Sequence, residues 1–89
     1  MTIKQITDAY ADELENWDFF SDGQRCYIDE NNHIVVCLRN YNWYITKEPI
    51  TDNMTCIKAL FEIDWIAEYD EDEEGNNHFI NYSKYWNKF

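Results

Sequence analysis

The sequence predicts an α+β fold: an N-terminal helix, a three-stranded antiparallel sheet, a covering helix and a C-terminal helical segment in a single domain spanning residues 1–89. Three observations predict it. Apolar residues recur at helical spacing over the first 17 residues and again from residue 54 to 65. Between them lie three short β-branched or aromatic runs separated by Asn-rich punctuation. A composition of 45% hydrophobic and 18% aromatic residues, with 2 Gly and 1 Pro, supplies material for a core despite a formal net charge of −11.

The first helix is marked by a capping-box pattern at Thr2 and Gln5, followed by Ile3, Ile6, Tyr10, Leu14 and Trp17, and it is expected to end near Asp22-Gly23. Its other face carries Asp8, Asp12 and Glu15. The runs Arg25-Cys26-Tyr27-Ile28, His33 to Leu38 and Trp43-Tyr44-Ile45-Thr46 read as a meander. If Asn31-Asn32 forms a two-residue turn, Cys26 lies opposite Cys37 and Ile28 opposite Val35. Pro49 stops the third strand, and Thr51 or Asp52 can cap a second helix. Met54, Ile57, Leu60, Phe61 and Trp65 then form its expected buried stripe. Phe79, Tyr82, Trp86 and Phe89 repeat at near-helical intervals and predict a third helix.

Composition narrows the function. With 18 Asp plus Glu against 7 Lys plus Arg, the chain is unsuited to direct binding of nucleic acid or of anionic membrane surfaces, so the expected partner is basic. No apolar run approaches the ~20 residues that cross a bilayer, and Met1-Thr2-Ile3-Lys4-Gln5 lacks the pattern of a signal peptide. Cys26, Cys37 and Cys56 are odd in number and contain no CxxC pair, which predicts core thiols in a reducing, cytoplasmic setting. The sequons Asn53-Met54-Thr55 and Asn81-Tyr82-Ser83 are then chance matches. His33 and His78 have no fixed spacing to a nucleophile, and a chain holding only Gly23 and Gly75 has no phosphate-cradling loop. The expectation is a non-enzymatic protein that needs no cofactor.

The sharpest feature is acidic. Eight residues between Glu62 and Glu74 are carboxylates, and neither Lys nor Arg occurs from Ala59 to Ser83. Asp70, Asp72, Glu74 and Gly75 fall at positions 1, 3, 5 and 6 of a calcium loop, but position 12 is Asn81, where a bidentate Glu is required. No metal site is therefore expected. Carboxylates three or four apart on a helix sit about 5–6 Å apart at Cβ, comparable with successive phosphates, so a positioned run can imitate a nucleic-acid backbone.

The string Trp65-Ile66-Ala67-Glu68-Tyr69-Asp70-Glu71-Asp72-Glu73-Glu74 resembles the small phage-encoded type II-A anti-CRISPR proteins that inhibit Cas9. In these, a Trp-bearing helix leads into Glu-Tyr and a carboxylate run. Asn40-Tyr41-Asn42-Trp43-Tyr44-Ile45 is similar to the family's Asn-containing turn before an aromatic strand. The resemblance covers roughly residues 35–74. It implies a DNA mimic that occupies the basic cleft where Cas9 reads the PAM with arginines. The contact carboxylates would be Glu68, Asp70, Glu71, Asp72, Glu73 and Glu74, with Asn40 and Asn42 as turn contacts and Asp8, Asp12 and Glu15 as a secondary acidic face. After the acids the chain departs from the family, with Gly75-Asn76-Asn77-His78 where the family continues its helix. Another Cas effector, a restriction enzyme or a repair enzyme is open to the same physics. Two other readings are an immunity protein neutralising a basic nuclease toxin and an acidic domain whose charge serves solubility.

Overall fold

The computed structural model describes residues 1–17, 24–38, 41–69 and 78–89. Helix α1 covers Ile3–Trp17. Strands β1 (Cys26–Ile28), β2 (Ile34–Cys37) and β3 (Trp43–Thr46) follow, then helix α2 (Asn53–Tyr69), a 3₁₀ turn at Phe79–Tyr82 and strand β4 (Trp86–Lys88). The fold class is α+β, as the sequence predicts, with four strands in place of three. The expected end of the first helix at Asp22-Gly23 lies outside the described residues. Among the described residues no helix is long and apolar enough to cross a membrane.

Helix α1 starts where the sequence places it. The Thr2 amide donates to Gln5 Oε1 at 2.8 Å and the Gln5 amide donates to Thr2 Oγ1 at 3.1 Å, so two otherwise orphaned donors are satisfied reciprocally. Asp52 caps α2: the Thr55 amide and hydroxyl donate to its two carboxylate oxygens at 2.8 and 2.7 Å. These bonds hold the Asp52 carboxyl below its ordinary value of 3.8.

The sheet is an antiparallel meander of order β1-β2-β3-β4. Its first hairpin differs from the two-residue turn expected at Asn31-Asn32. Asn32 adopts φ 66°, the Asn32 amide donates to the Asp29 carbonyl at 3.1 Å, and Asp29 Oδ1 accepts from the amides of Asn31 and His33, each at 2.9 Å. An Asx-turn followed by a left-handed Asn makes a three-residue loop of Glu30-Asn31-Asn32. One extra loop residue moves the register by one, so Cys26 opposes Val36 and Ile28 opposes Ile34. Successive side chains alternate between faces, which places Cys37 on the face opposite Cys26.

The predicted C-terminal helix is the larger correction. Helical structure is confined to the 3₁₀ turn, and Ser83 leaves it at φ −63°, ψ 137°. Ser83 Oγ then accepts from the Trp86 amide at 2.9 Å and the Tyr85 amide at 3.2 Å, turning the chain into β4, where Ile45 opposes Asn87 and Thr46 opposes Trp86. A short aromatic segment has weak helical preference, and the open edge of β3 offers it ladder bonds and a pleated surface. The Trp86 side chain is fully buried, and its indole N–H donates to the Ala59 carbonyl of α2 at 2.8 Å.

Both helices pack on one sheet face, joining Tyr10, Leu14, Ile34, Val36, Tyr44, Ile63 and Trp86 in one core. The face of α2 that enters it is not the expected stripe. Cys56, Ala59, Leu60, Ile63, Ile66 and Ala67 are buried, whereas of the expected set only Leu60 is; Met54, Ile57, Phe61 and Trp65 lie on the surface. Small and branched residues let the helix approach the sheet closely where Trp86 and Tyr44 already fill space. The rings excluded from that interface stand on the far side of α2.

Arg25 joins these layers. The side chain is fully buried, and the guanidinium donates to the Cys37 carbonyl at 3.1 Å, to the Leu38 carbonyl, and to the Leu14 carbonyl in the last turn of α1 at 3.4 Å.

Two stability outcomes follow. Arg25→Met leaves buried carbonyls unpaired and is expected to lower the urea-derived stability by about 3 kcal/mol with little change in m, and Arg25→Lys, lacking the planar fork, recovers only part of that loss. For the cap, Asp52→Ala is expected to lower the thermal midpoint and Asp52→Asn to restore most of it. The depressed folded-state pKa means that the ionised cap contributes above the ordinary value of 3.8 and that this contribution is lost as pH falls through the lower folded value. Thermal melts of the wild type and Asp52→Asn between neutral pH and the acid limb measure this difference.

Candidate functional site

The acidic residues singled out by the sequence have different structural settings. Asp70, Glu71, Asp72, Glu73, Glu74 and Asn40 lie outside the described residues. Glu68 is exposed in the last turn of α2, on the same side of the helix as Phe61 and Trp65. Asn42 is half-buried, and its carbonyl accepts from the Leu38 amide at 3.1 Å, closing the second hairpin next to Tyr41 at φ 61°. Asp12 and Glu15 are exposed on α1. Asp8 shares their face, accepting from Lys4 Nζ at 2.8 Å and Gln24 Nε2 at 2.7 Å, and these bonds lower its carboxyl pKa.

Several other carboxylates accept hydrogen bonds that hold the fold together. Glu62 accepts from the Ser83 hydroxyl and from the amides of Lys84 at 3.3 Å and Tyr85 at 3.4 Å, fixing the turn into β4. Asp64 accepts from the Tyr10 hydroxyl at 3.1 Å and so links the two helices. Burial, then the neighbouring Asp64 charge, pushes the Tyr10 phenol pKa upward. Asp29 and Asp52 organise a hairpin and a helix start, as described above.

Several of the described cations have other partners. Arg25 and Lys47 direct their charge to backbone carbonyls, Lys47 to that of Ser83, and Lys84 Nζ lies 5.4 Å from the centroid of the Tyr85 ring. Lys4–Asp8 is an exposed pair one helical turn apart, of the kind that contributes little to stability.

Four Trp and seven Tyr are more than a small core can hide and point to aromatics at the surface without saying which; the structure places such a surface on α2, at residues expected in the buried stripe. Ile57, Phe61, Trp65 and Tyr69 follow one another at intervals of four along α2, diametrically opposite the core-facing residues. Phe61 is 77% exposed and Tyr69 71%. Trp65 stacks on Phe79 with ring centroids 5.3 Å apart, and Tyr69 lies 5.9 Å from Trp65. The four-residue spacing was legible, but it fits a buried stripe equally well. A groove of ≈ 320 Å³ runs between α1 and α2, lined by Ile6, Ala9, Tyr10, Glu13, Ile57, Leu60, Phe61 and Asp64.

No family model, curated protein or solved structure matches this chain. The resemblance therefore stands on the strings Trp65–Glu74 and Asn40–Ile45.

Cys26 and Cys56 belong to the core between helices and sheet, and Cys37 is buried on the other face of the sheet. Cys26, Cys37 and Cys56 are free and buried; burial pushes Cys56 up to about 11 and raises Cys26 and Cys37 above the ordinary 9.0. A disulfide-exchange reagent at mildly alkaline pH is expected to label the native protein slowly, at a rate set by opening of the fold, and to label all three thiols at once in denaturant. Immediate reaction of any one thiol in the native state would contradict this placement.

Proposed function

We propose that this chain is a non-enzymatic inhibitor that blocks the basic nucleic-acid-binding cleft of a Cas nuclease, most like competition at the PAM-reading site of Cas9. The observation that carries the proposal is the density of carboxylates along the chain: the run Asp70-Glu71-Asp72-Glu73-Glu74 follows α2 directly in sequence, and Asp64 and Glu68 are exposed on that helix. Carboxylates carried on a packed helix, as Asp64 and Glu68 are, substitute for phosphates with less loss of conformational entropy on binding than those of a free tail. Complementary charge speeds encounter with a basic cleft and makes the association weaken with ionic strength. The acidic chain and its target both persist in the host cytoplasm in this reading.

The test is competition for PAM-containing duplex DNA on a guide-loaded Cas9. Wild-type chain is expected to displace the duplex at low salt and progressively less as salt rises. A variant with Asp70, Glu71, Asp72, Glu73 and Glu74 changed to the corresponding amides is expected to need at least about tenfold more protein for the same displacement. Equal competition by both forms would remove the run from the mechanism, and no competition by the wild type would remove Cas9 as the target.

A further inference from the structure

A chain carrying a net charge of −11 gains solubility from its polar exterior, yet it displays a ridge of large apolar side chains along α2. Ile57, Phe61, Trp65 and Tyr69 take no part in the core, which α2 meets through its opposite face. Aromatic side chains present about 150–250 Å² each, so this ridge with Phe79 exposes on the order of 400–500 Å², at the upper end of what a monomer ordinarily shows without a partner. Grooves flank the ridge on both sides. The first is the α1–α2 groove; the second, of ≈ 230 Å³, lies between Trp65 and Ile66 of α2 and Phe79 and Tyr82 of the 3₁₀ turn.

Charge decides what can cover this surface. Asp64 and Glu68 border the ridge along α2, Glu13 faces it across the α1–α2 groove, and Lys58, in the N-terminal half of the helix, is the basic residue of α2 on that side. A second copy would bring −11 against −11 and set carboxylates against carboxylates, and an anionic lipid surface would be repelled in the same way. A helix with an apolar stripe and Lys or Arg along its margin matches both features.

The geometry points to the aromatic ridge of α2 as the docking face for an amphipathic basic helix of a partner protein. Apolar side chains of that helix seat on Ile57, Phe61 and Trp65 and enter the α1–α2 groove, while its Lys or Arg residues meet Glu13 and Asp64. This inference rests on the reading of the chain as a binder of a basic protein and adds to it the apolar half of the contact, which governs dissociation where the charges govern encounter.

The probe is a fluorescein-labelled helical peptide of leucine and lysine, with leucines at i, i+3, i+4 and i+7, titrated by fluorescence polarisation. A peptide with glutamate in place of lysine is the control. Wild-type chain is expected to bind the lysine peptide and to bind the glutamate peptide at least about tenfold more weakly. Phe61→Ser, at a site exposed enough to leave the urea midpoint unchanged, is expected to weaken lysine-peptide binding by about tenfold. Glu13→Gln with Asp64→Asn, which keeps an acceptor for Tyr10, is expected to weaken it and to flatten its salt dependence. Asp12→Asn with Glu15→Gln, on the other face of α1, is expected to leave the affinity within about twofold of wild type.

Equal affinity of Phe61→Ser and wild type overturns the docking assignment, as does equal binding of the two peptides. A wild-type dimer in sedimentation that Phe61→Ser converts to monomer also overturns it, since a second copy would then own the face. These outcomes are independent of the Cas9 assay. Failure of wild type to displace duplex DNA there defeats the functional reading whatever the peptide does, and failure of the peptide titration defeats only the docking face.

Discussion

The buried guanidinium of Arg25 is the constraint on which the arrangement of this domain depends. Its side chain lies one residue before β1 and reaches the carbonyl of Leu14 near the end of α1 and those of Cys37 and Leu38 at the end of β2, while its own carbonyl accepts the Cys37 amide at 2.7 Å. One residue thus fixes the β1–β2 register and the docking of the first helix together. A buried cation satisfied by carbonyls is stable only while all those acceptors stay in place, which penalises alternative registers more heavily than apolar packing alone would. Tyr41, held at φ 61°, places its ring 5.7 Å from the same guanidinium and closes the site from the second hairpin.

From this corner the sheet sets the limits for α2. With Trp86 and Tyr44 filling the layer beneath it, the helix can meet the sheet only through residues such as Ala59, Ile63 and Ala67. The larger rings of Phe61 and Trp65 are left outside, together with Ile57, which shares their side of the helix. The outer face of the sheet is handled differently: Val35 is buried there beneath Tyr27 and Trp43, whose rings meet edge to face with centroids 6.4 Å apart. Among the described residues, aromatic side chains thus serve the core, the outer sheet face and the ridge on α2, and the ridge combines large exposure with neighbouring carboxylates.

The acidity is divided in the same way. Asp29, Asp52, Glu62 and Asp64 accept hydrogen bonds that hold a hairpin, a helix start, the turn into β4 and the contact between helices. Net charge counts these with the other carboxylates, although part of their hydrogen-bonding capacity is already engaged. Among the described residues, acids that remain exposed on the helices include Asp12, Glu13 and Glu15 on α1 and Asp64 and Glu68 on α2. Acids and aromatic anchors then belong to one helix, so its docking on the sheet positions both.

What the sequence determined by itself is local in origin. The capping box at Thr2 and Gln5, the cap at Asp52, the three strand runs and the two long helices follow from hydrogen bonds and periodicities within a few residues, and each is found where the sequence puts it. The tertiary structure alone decided the rest. Two stripes of α2 satisfy the same helical period, and only the volume left above Trp86 selects the one that is buried. The residues after Ser83 could continue a helical spacing, but the unpaired edge of β3 draws them into a fourth strand. An extra residue in the Asn31-Asn32 loop separates Cys26 from Cys37 because register depends on turn geometry that spacing does not specify. Periodicity shows which residues share a face; the partner that the face meets is settled by packing between distant segments.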